Sequence, residues 1–167
     1  HIPVLTGVDF PMIDLLKAID GKASNFVGIK YTHENLMDFA SCIHFQNRKY
    51  EMLWGRDESW LGALAMGAKG AVGSTYNYIP KLYHAISSNF EAGHVGKAQE
   101  LQQKSIEMIG LLGKYGGMAT GKSYMKWIGL DCGEFRLPVK NMDAAAYIRF
   151  EKEVVALDLD EYWAMNQ

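Results

Sequence analysis

Phe26-Val27-Gly28-Ile29-Lys30-Tyr31-Thr32 is the stretch on which the fold turns. Four apolar residues in a row, without helical spacing, read as a strand buried on both faces, as in a parallel sheet. A lysine at the carboxyl end of such a strand has its amine in a partly dry pocket. Burial there disfavours the ammonium form and leaves more free amine to attack a carbonyl, the chemistry of a Schiff-base enzyme. Taken alone, Lys30 reads first as a strand-end lysine reaching into solvent, and only the rest of the chain moves that reading.

Outward from this strand the chain alternates short apolar runs with amphipathic ones. Ile2-Pro3-Val4-Leu5 reads as the end of a strand, and about Pro11 to Ile19 as a helix with Ile13, Leu15 and Leu16 apolar, stopped by Gly21. Phe26 to Tyr31 is the second strand. Thr32 is the expected N-cap of a helix from about Glu34 to Phe45 that buries Leu36, Met37, Phe39 and Ala40. Tyr50 to Trp54 is the third strand, followed by Asp57-Glu58-Ser59 and a helix Trp60 to Met66. Gly70 to Gly73 is the fourth. Strand starts near 26, 50 and 70 repeat every 20–24 residues, and βα repetition of this kind demands a parallel sheet with right-handed crossovers. A doubly wound sheet and a barrel both satisfy it. Either one places active residues at the carboxyl ends of strands, where Lys30, Gly55-Arg56-Asp57-Glu58 and Gly73-Ser74-Thr75 fall.

The second half is helical. Helices are expected from Pro80 to about Ala92, Val95 to Tyr115, Thr120 to Leu130, and Ala144 to Leu157 behind an Asn141 or Asp143 cap. The division is therefore into residues 1–92, carrying the βα units and the lysine, and 93–167, a helical extension. Four βα units are half of a (β/α)8 barrel, whose usual size is about 250 residues. A half-barrel leaves open edges and an uncovered apolar face. The chain also begins at His1 rather than methionine, and the expectation is a fragment of a longer chain.

Composition narrows the function. In 167 residues, 49% are hydrophobic and 22% charged, an ordinary soluble globular mixture. A net charge of -2 offers no electrostatic case for nucleic acid or anionic membrane, and no apolar run approaches transmembrane length. Cys42 and Cys132 stand far apart and fit reduced cytosolic thiols, with a single disulfide left open. The five histidines form no HxxxH or HExxH spacing, which gives a metal site little support. Asp57 and Glu58 serve either as first-turn acids on a helix dipole or as acceptors for a polyol. Gly73 to Asn77 is either a turn leaving a strand or a loop whose hydroxyls and amides face a ligand.

Together, Phe26 to Thr32, Leu53-Trp54-Gly55-Arg56-Asp57-Glu58 and Gly67 to Asn77 resemble the pyruvate-dependent class I aldolases of the dihydrodipicolinate synthase and N-acetylneuraminate lyase superfamily. Their order fits that family's strands six, seven and eight. His1-Ile2-Pro3 followed by Leu5-Thr6-Gly7 looks like the end of strand five, and the helical tail looks like its C-terminal extension. Gly55, Asp57, Glu58 and the run Gly73 to Asn77 look like the N-acetylneuraminate lyase branch. The resemblance implies the C-terminal half of a TIM barrel and cleavage of sialic acid to N-acetylmannosamine and pyruvate without metal or organic cofactor. It makes Lys30 the Schiff-base lysine and assigns the sugar to Thr32, Gly55, Asp57, Glu58 and Ser74. It also implies a cytoplasmic tetramer, or association with a missing N-terminal half. The family's pyruvate-carboxylate loop, Gly-Ser/Thr-Thr-Gly-Glu, has no match here, and its proton-shuttle tyrosine would align just before His1. The chain alone is therefore expected to be nearly inactive. The alternatives are another 2-keto acid aldolase or dehydratase of the superfamily, and a non-catalytic, self-associating half-barrel.

Overall fold

The computed structural model describes residues 1–165, which divide into two units, one of residues 1–73 and one that begins at Ser74. In the first, three strands, β1 (Gly28–Tyr31), β2 (Glu51–Trp54) and β3 (Gly70–Ala71), form a parallel sheet in the order β1-β2-β3. Lys30 pairs with Leu53, Tyr31 with Trp54 and Trp54 with Ala71, so all three carboxyl ends lie along one edge. The α/β alternation expected from the sequence is present, with strands shorter than expected.

The first expected strand is a helix. Pro3–Thr6 forms α1, with the Ile2 carbonyl accepting from the Leu5 and Thr6 amides. Pro3 has no amide hydrogen for a ladder, and its fixed φ suits a first helical turn. Only His1 keeps strand pairing. Its amine donates to the Lys30 carbonyl at 2.9 Å and its carbonyl accepts from the Thr32 amide at 2.8 Å, which sets His1 parallel to and opposite Tyr31.

Helix α2 (Met12–Ile19) buries Met12 and Leu16, and α3 (Leu36–His44) buries Asp38, Phe39, Cys42 and Ile43. Two expectations for α3 are corrected. Met37 is 78% exposed, because the buried stripe runs one position later. The cap is Asn35, whose side chain accepts from the Asp38 amide, since Thr32 still belongs to the strand pairing. The buried Asp38 carboxylate in turn accepts from the Met12 and Ile13 amides at the start of α2 and from the Tyr31 hydroxyl at 2.9 Å. One acid thus satisfies the orphan donors of one helix and ties two helices to the sheet. Burial and Asp38 together push the Tyr31 phenol upward, and burial pushes the Cys42 thiol up to about 12. Tyr31, Phe39 and Trp54 form the aromatic centre, with Phe39 edge-on to Trp54 at 4.7 Å. A short 3-10 turn, Asp57–Ser59, leads into α4 (Trp60–Ala65).

In the second unit, α5 (Pro80–Glu91) follows a 3-10 turn at Thr75–Asn77. Then come α6 (Val95–Lys114), α7 (Met118–Trp127) and α8 (Ala144–Ala156). The Asp143 side chain caps α8, and Gly116 and Gly117, both at positive φ, end α6. Tyr124 anchors the core, stacked on Tyr78 at 4.7 Å and edge-on to Phe150 at 4.8 Å. Its hydroxyl donates to the Met108 carbonyl. Cys42 and Cys132 are both free thiols. Among the described residues no helix is long and apolar enough to cross a membrane.

Candidate functional site

The sequence-selected residues of the first unit gather at the carboxyl edge of the sheet. The ladder continues past β2, with the Gly55 amide donating to the Tyr31 carbonyl at 2.8 Å and the Val72 amide to the Trp54 carbonyl at 2.8 Å. Gly55 therefore stands beside Thr32, so closely that a Cβ on it would collide with Thr32 Oγ1. That hydroxyl is covered, and no hydrogen-bond partner meets it among the described residues. The same device recurs one strand over. Asp57 is buried, and a Cβ on Gly73 would run into its carboxylate. Each glycine is the absence of a side chain that lets a polar group of the neighbouring strand-end lie against the backbone.

Lys30 differs from its expectation. It is exposed, while Ile29 and Tyr31 on either side are buried. The strand is half-buried rather than buried on both faces, since α2 and α3 cover only the side that Tyr31 shares. Val27, 74% exposed, and Phe26 lie outside the strand altogether. The amine of Lys30 stays close enough to the His1 α-amine to help burial lower the latter's pKa.

Glu58 is half-buried and paired with Arg56 at 2.8 Å, and the same guanidinium reaches Glu34 at 3.0 Å. The Arg56 carbonyl accepts from the Trp54 indole at 2.7 Å, so the aromatic core holds the loop that carries Gly55 to Glu58. Arg56 lies in the strand-end run that the sequence pointed to, but no role was expected of it; here it pairs with two carboxylates. Its signal was the charge sequence itself, a guanidinium directly before two carboxylates. Ser74 is exposed and opens the second unit, where its carbonyl accepts from the Asn77 side chain and amide. Behind it, Thr75 donates to the buried Tyr83 hydroxyl at 2.8 Å, which meets Ser105 at 3.1 Å.

Residues 1–157 match the dihydrodipicolinate synthetase family. N-acetylneuraminate lyase A of Xenopus laevis is 36% identical over 162 residues, covering 95% of this chain and 53% of that protein. The N-acetylneuraminate lyase of Mus musculus is 35% identical, with 95% and 50% covered. Among solved structures, Proteus mirabilis N-acetylneuraminate lyase superposes with a TM-score of 0.90 at 31% identity, over 95% of this chain and 54% of that one. The chain spans about half the length of the curated relatives it matches. With its parallel sheet, its strand-end polar groups and this match over nearly its whole length, the chain belongs to the dihydrodipicolinate synthetase family, an α/β family of TIM barrels.

Proposed function

We propose that the whole protein is a class I aldolase that cleaves N-acetylneuraminate to N-acetylmannosamine and pyruvate, with Lys30 as the Schiff-base nucleophile. The observation that carries this reading is the row of strand ends at one sheet edge: Lys30, the Thr32 hydroxyl lying on Gly55, and the Asp57 carboxylate lying on Gly73. Likeness to N-acetylneuraminate lyases at 35–36% identity supports the substrate.

In this reading the Lys30 amine attacks the keto carbon and water leaves, giving a protonated imine. A base takes the proton of the C4 hydroxyl, and the C3–C4 bond breaks with its electron pair flowing into the imine. N-acetylmannosamine departs as the aldehyde. Protonation of the enamine and hydrolysis release pyruvate and restore the amine. The iminium is the electron sink, so the cycle calls for no further cofactor. Thr32, Gly55, Asp57, Glu58 and Ser74 hold the polyol, with Arg56 fixing where the Glu58 carboxylate points.

The barrel reading belongs to the same proposal. Residues 1–92 supply strands five to eight of the barrel and 93–167 its helical extension, supported by α5 following β3 as α3 and α4 follow β1 and β2. In the whole protein the remaining strands cover the Lys30 side of the sheet, and the enzyme is a cytoplasmic homo-oligomer. The exposure of Lys30 here fits a chain that alone is nearly inactive.

Borohydride reduction with pyruvate, followed by peptide mass spectrometry, tests the assignment. The full-length protein should carry the reduced adduct on Lys30. An unmodified Lys30 under conditions that inactivate the enzyme would sink the reading. Cleavage of sialic acid by the isolated chain at the full-length rate would sink the claim that it is incomplete.

A further inference from the structure

On the other side of β1 from Lys30, three side chains of metal-ligating type converge. One ligand atom each from His1, Asp9 and His33 lies within 4.8 Å of the others. They come from three places in the chain: the residue paired beside β1, the connection between α1 and α2, and the turn leaving β1. Because His1 sits opposite Tyr31 in the ladder, its ring shares the Tyr31 face, 5.2 Å from that ring, and the His33 ring stands 6.2 Å from it. The two imidazoles meet edge to face at 5.4 Å, and His33 Nε2 is 3.5 Å from Asp9 Oδ1.

We propose that His1, Asp9 and His33 form a binding site for a borderline divalent transition-metal ion of the zinc class, which fastens the α1–α2 connection to the carboxyl end of β1. The donor set fits. Two imidazole nitrogens and one carboxylate oxygen suit zinc, cobalt or nickel better than magnesium or calcium, which take oxygen. Ligands about 2.0–2.1 Å from a tetrahedral zinc lie about 3.4 Å from one another, the spacing at which His33 and Asp9 already stand. Bringing His1 into the set takes a side-chain movement on the order of 1 Å. Asp9 is 77% exposed and the His33 side chain 27%, so water completes the fourth position. The ion has a structural role, on the face of β1 away from Lys30, and the inference stands independently of the aldolase reading.

The test titrates zinc chloride into the chelator-stripped chain by calorimetry, with a short peptide preceding His1 so that no free α-amine can chelate. One ion per chain should bind and raise the thermal midpoint. His33→Ala and the exposed-loop variant Asp9→Asn should each weaken binding by about tenfold or more, at least the loss that follows removal of a mere outer-shell partner. His44→Ala and His94→Ala, at exposed histidines elsewhere, should leave it unchanged. The proposal is overturned by an absence of binding in the peptide-preceded chain. It is equally overturned by affinity that neither Asp9→Asn nor His33→Ala alters, or by affinity that His44→Ala or His94→Ala reduces as much.

Discussion

On the helix-facing side of the sheet Tyr31 and Trp54 are 0% and 1% exposed, while on the opposite side Lys30 and Glu51 are exposed and Gly28 and Leu53 only half covered. The same two strands therefore carry two kinds of residue at alternate positions. The covered side holds the aromatic centre and Asp38, each polar atom of which meets a donor. The open side holds the exposed Lys30 and, at the edge, the Thr32 hydroxyl, which no hydrogen-bond partner meets among the described residues. A strand's period of two makes this separation possible, because stability and chemistry need not compete for one position.

The strongest way to break the comparison is to exchange the two kinds of damage. Lys30→Ala should abolish the borohydride-trapped adduct in the full-length protein. In this chain it should leave the free energy of unfolding within the roughly 0.5 kcal/mol of an ordinary surface change. Trp54→Ala should do the reverse and cost about 3–5 kcal/mol through lost burial and the cavity it leaves. Chemical denaturation of both variants measures this. A large loss in Lys30→Ala would mean that the open side carries packing after all.

Much of this was legible in the sequence, for reasons that particular residues make plain. The βα repeat is written in apolar runs and glycine stops, and the strand-end residues Lys30, Gly55, Asp57 and Gly73 follow from it directly. Burial was not legible, because periodicity marks an apolar run without saying how many sides of it are covered. The run at Phe26–Ile29 is thus compatible with one covered face as well as two. Pro3 carried its own warning that Ile2–Leu5 would not stay extended. Asp38 and the His1–Asp9–His33 group were invisible for another reason. Asp38 takes the Met12 and Ile13 amides from 26 and 25 residues away, and His1 is set beside Tyr31 by a parallel ladder that no spacing rule contains. Histidine spacing along the chain therefore carries no trace of the group that the pairing of His1 with Tyr31 brings together.

A smaller effect sharpens the boundary between the two sides. Gly55→Ala places a Cβ against Thr32 Oγ1 and should cost about 1–3 kcal/mol, the usual range for overpacking. Removing the obstacle should recover part of it, so Gly55→Ala with Thr32→Ala should be more stable than the sum of the single changes implies. A double-mutant cycle by denaturation reads the coupling directly. Strict additivity would show that the close approach of the strand ends is not what requires glycine at this position.

The smallest effect lies at the far end of α2, on the covered side. Asp20 accepts from Lys49, from the Tyr50 hydroxyl at 2.7 Å and from Gln46 at 2.8 Å, and these bonds, that of Lys49 foremost, hold its carboxyl down at about 2. They tie the end of α2 to the turn Gln46–Arg48, where three consecutive non-glycine residues have positive φ. A carboxyl whose pKa is lower folded than unfolded contributes stability above its ordinary value of 3.8, and that contribution is lost as pH falls from there through about 2. Asp20→Asn should therefore be the less stable chain at neutral pH, and the gap should close across that acid window. Because the pair is open to solvent, added salt should narrow the gap as well. Thermal midpoints of both chains measured from pH 7 to about 2 decide it. A gap that stays constant through the acid limb would mean that Asp20 holds the turn by shape alone, and that its charge contributes nothing.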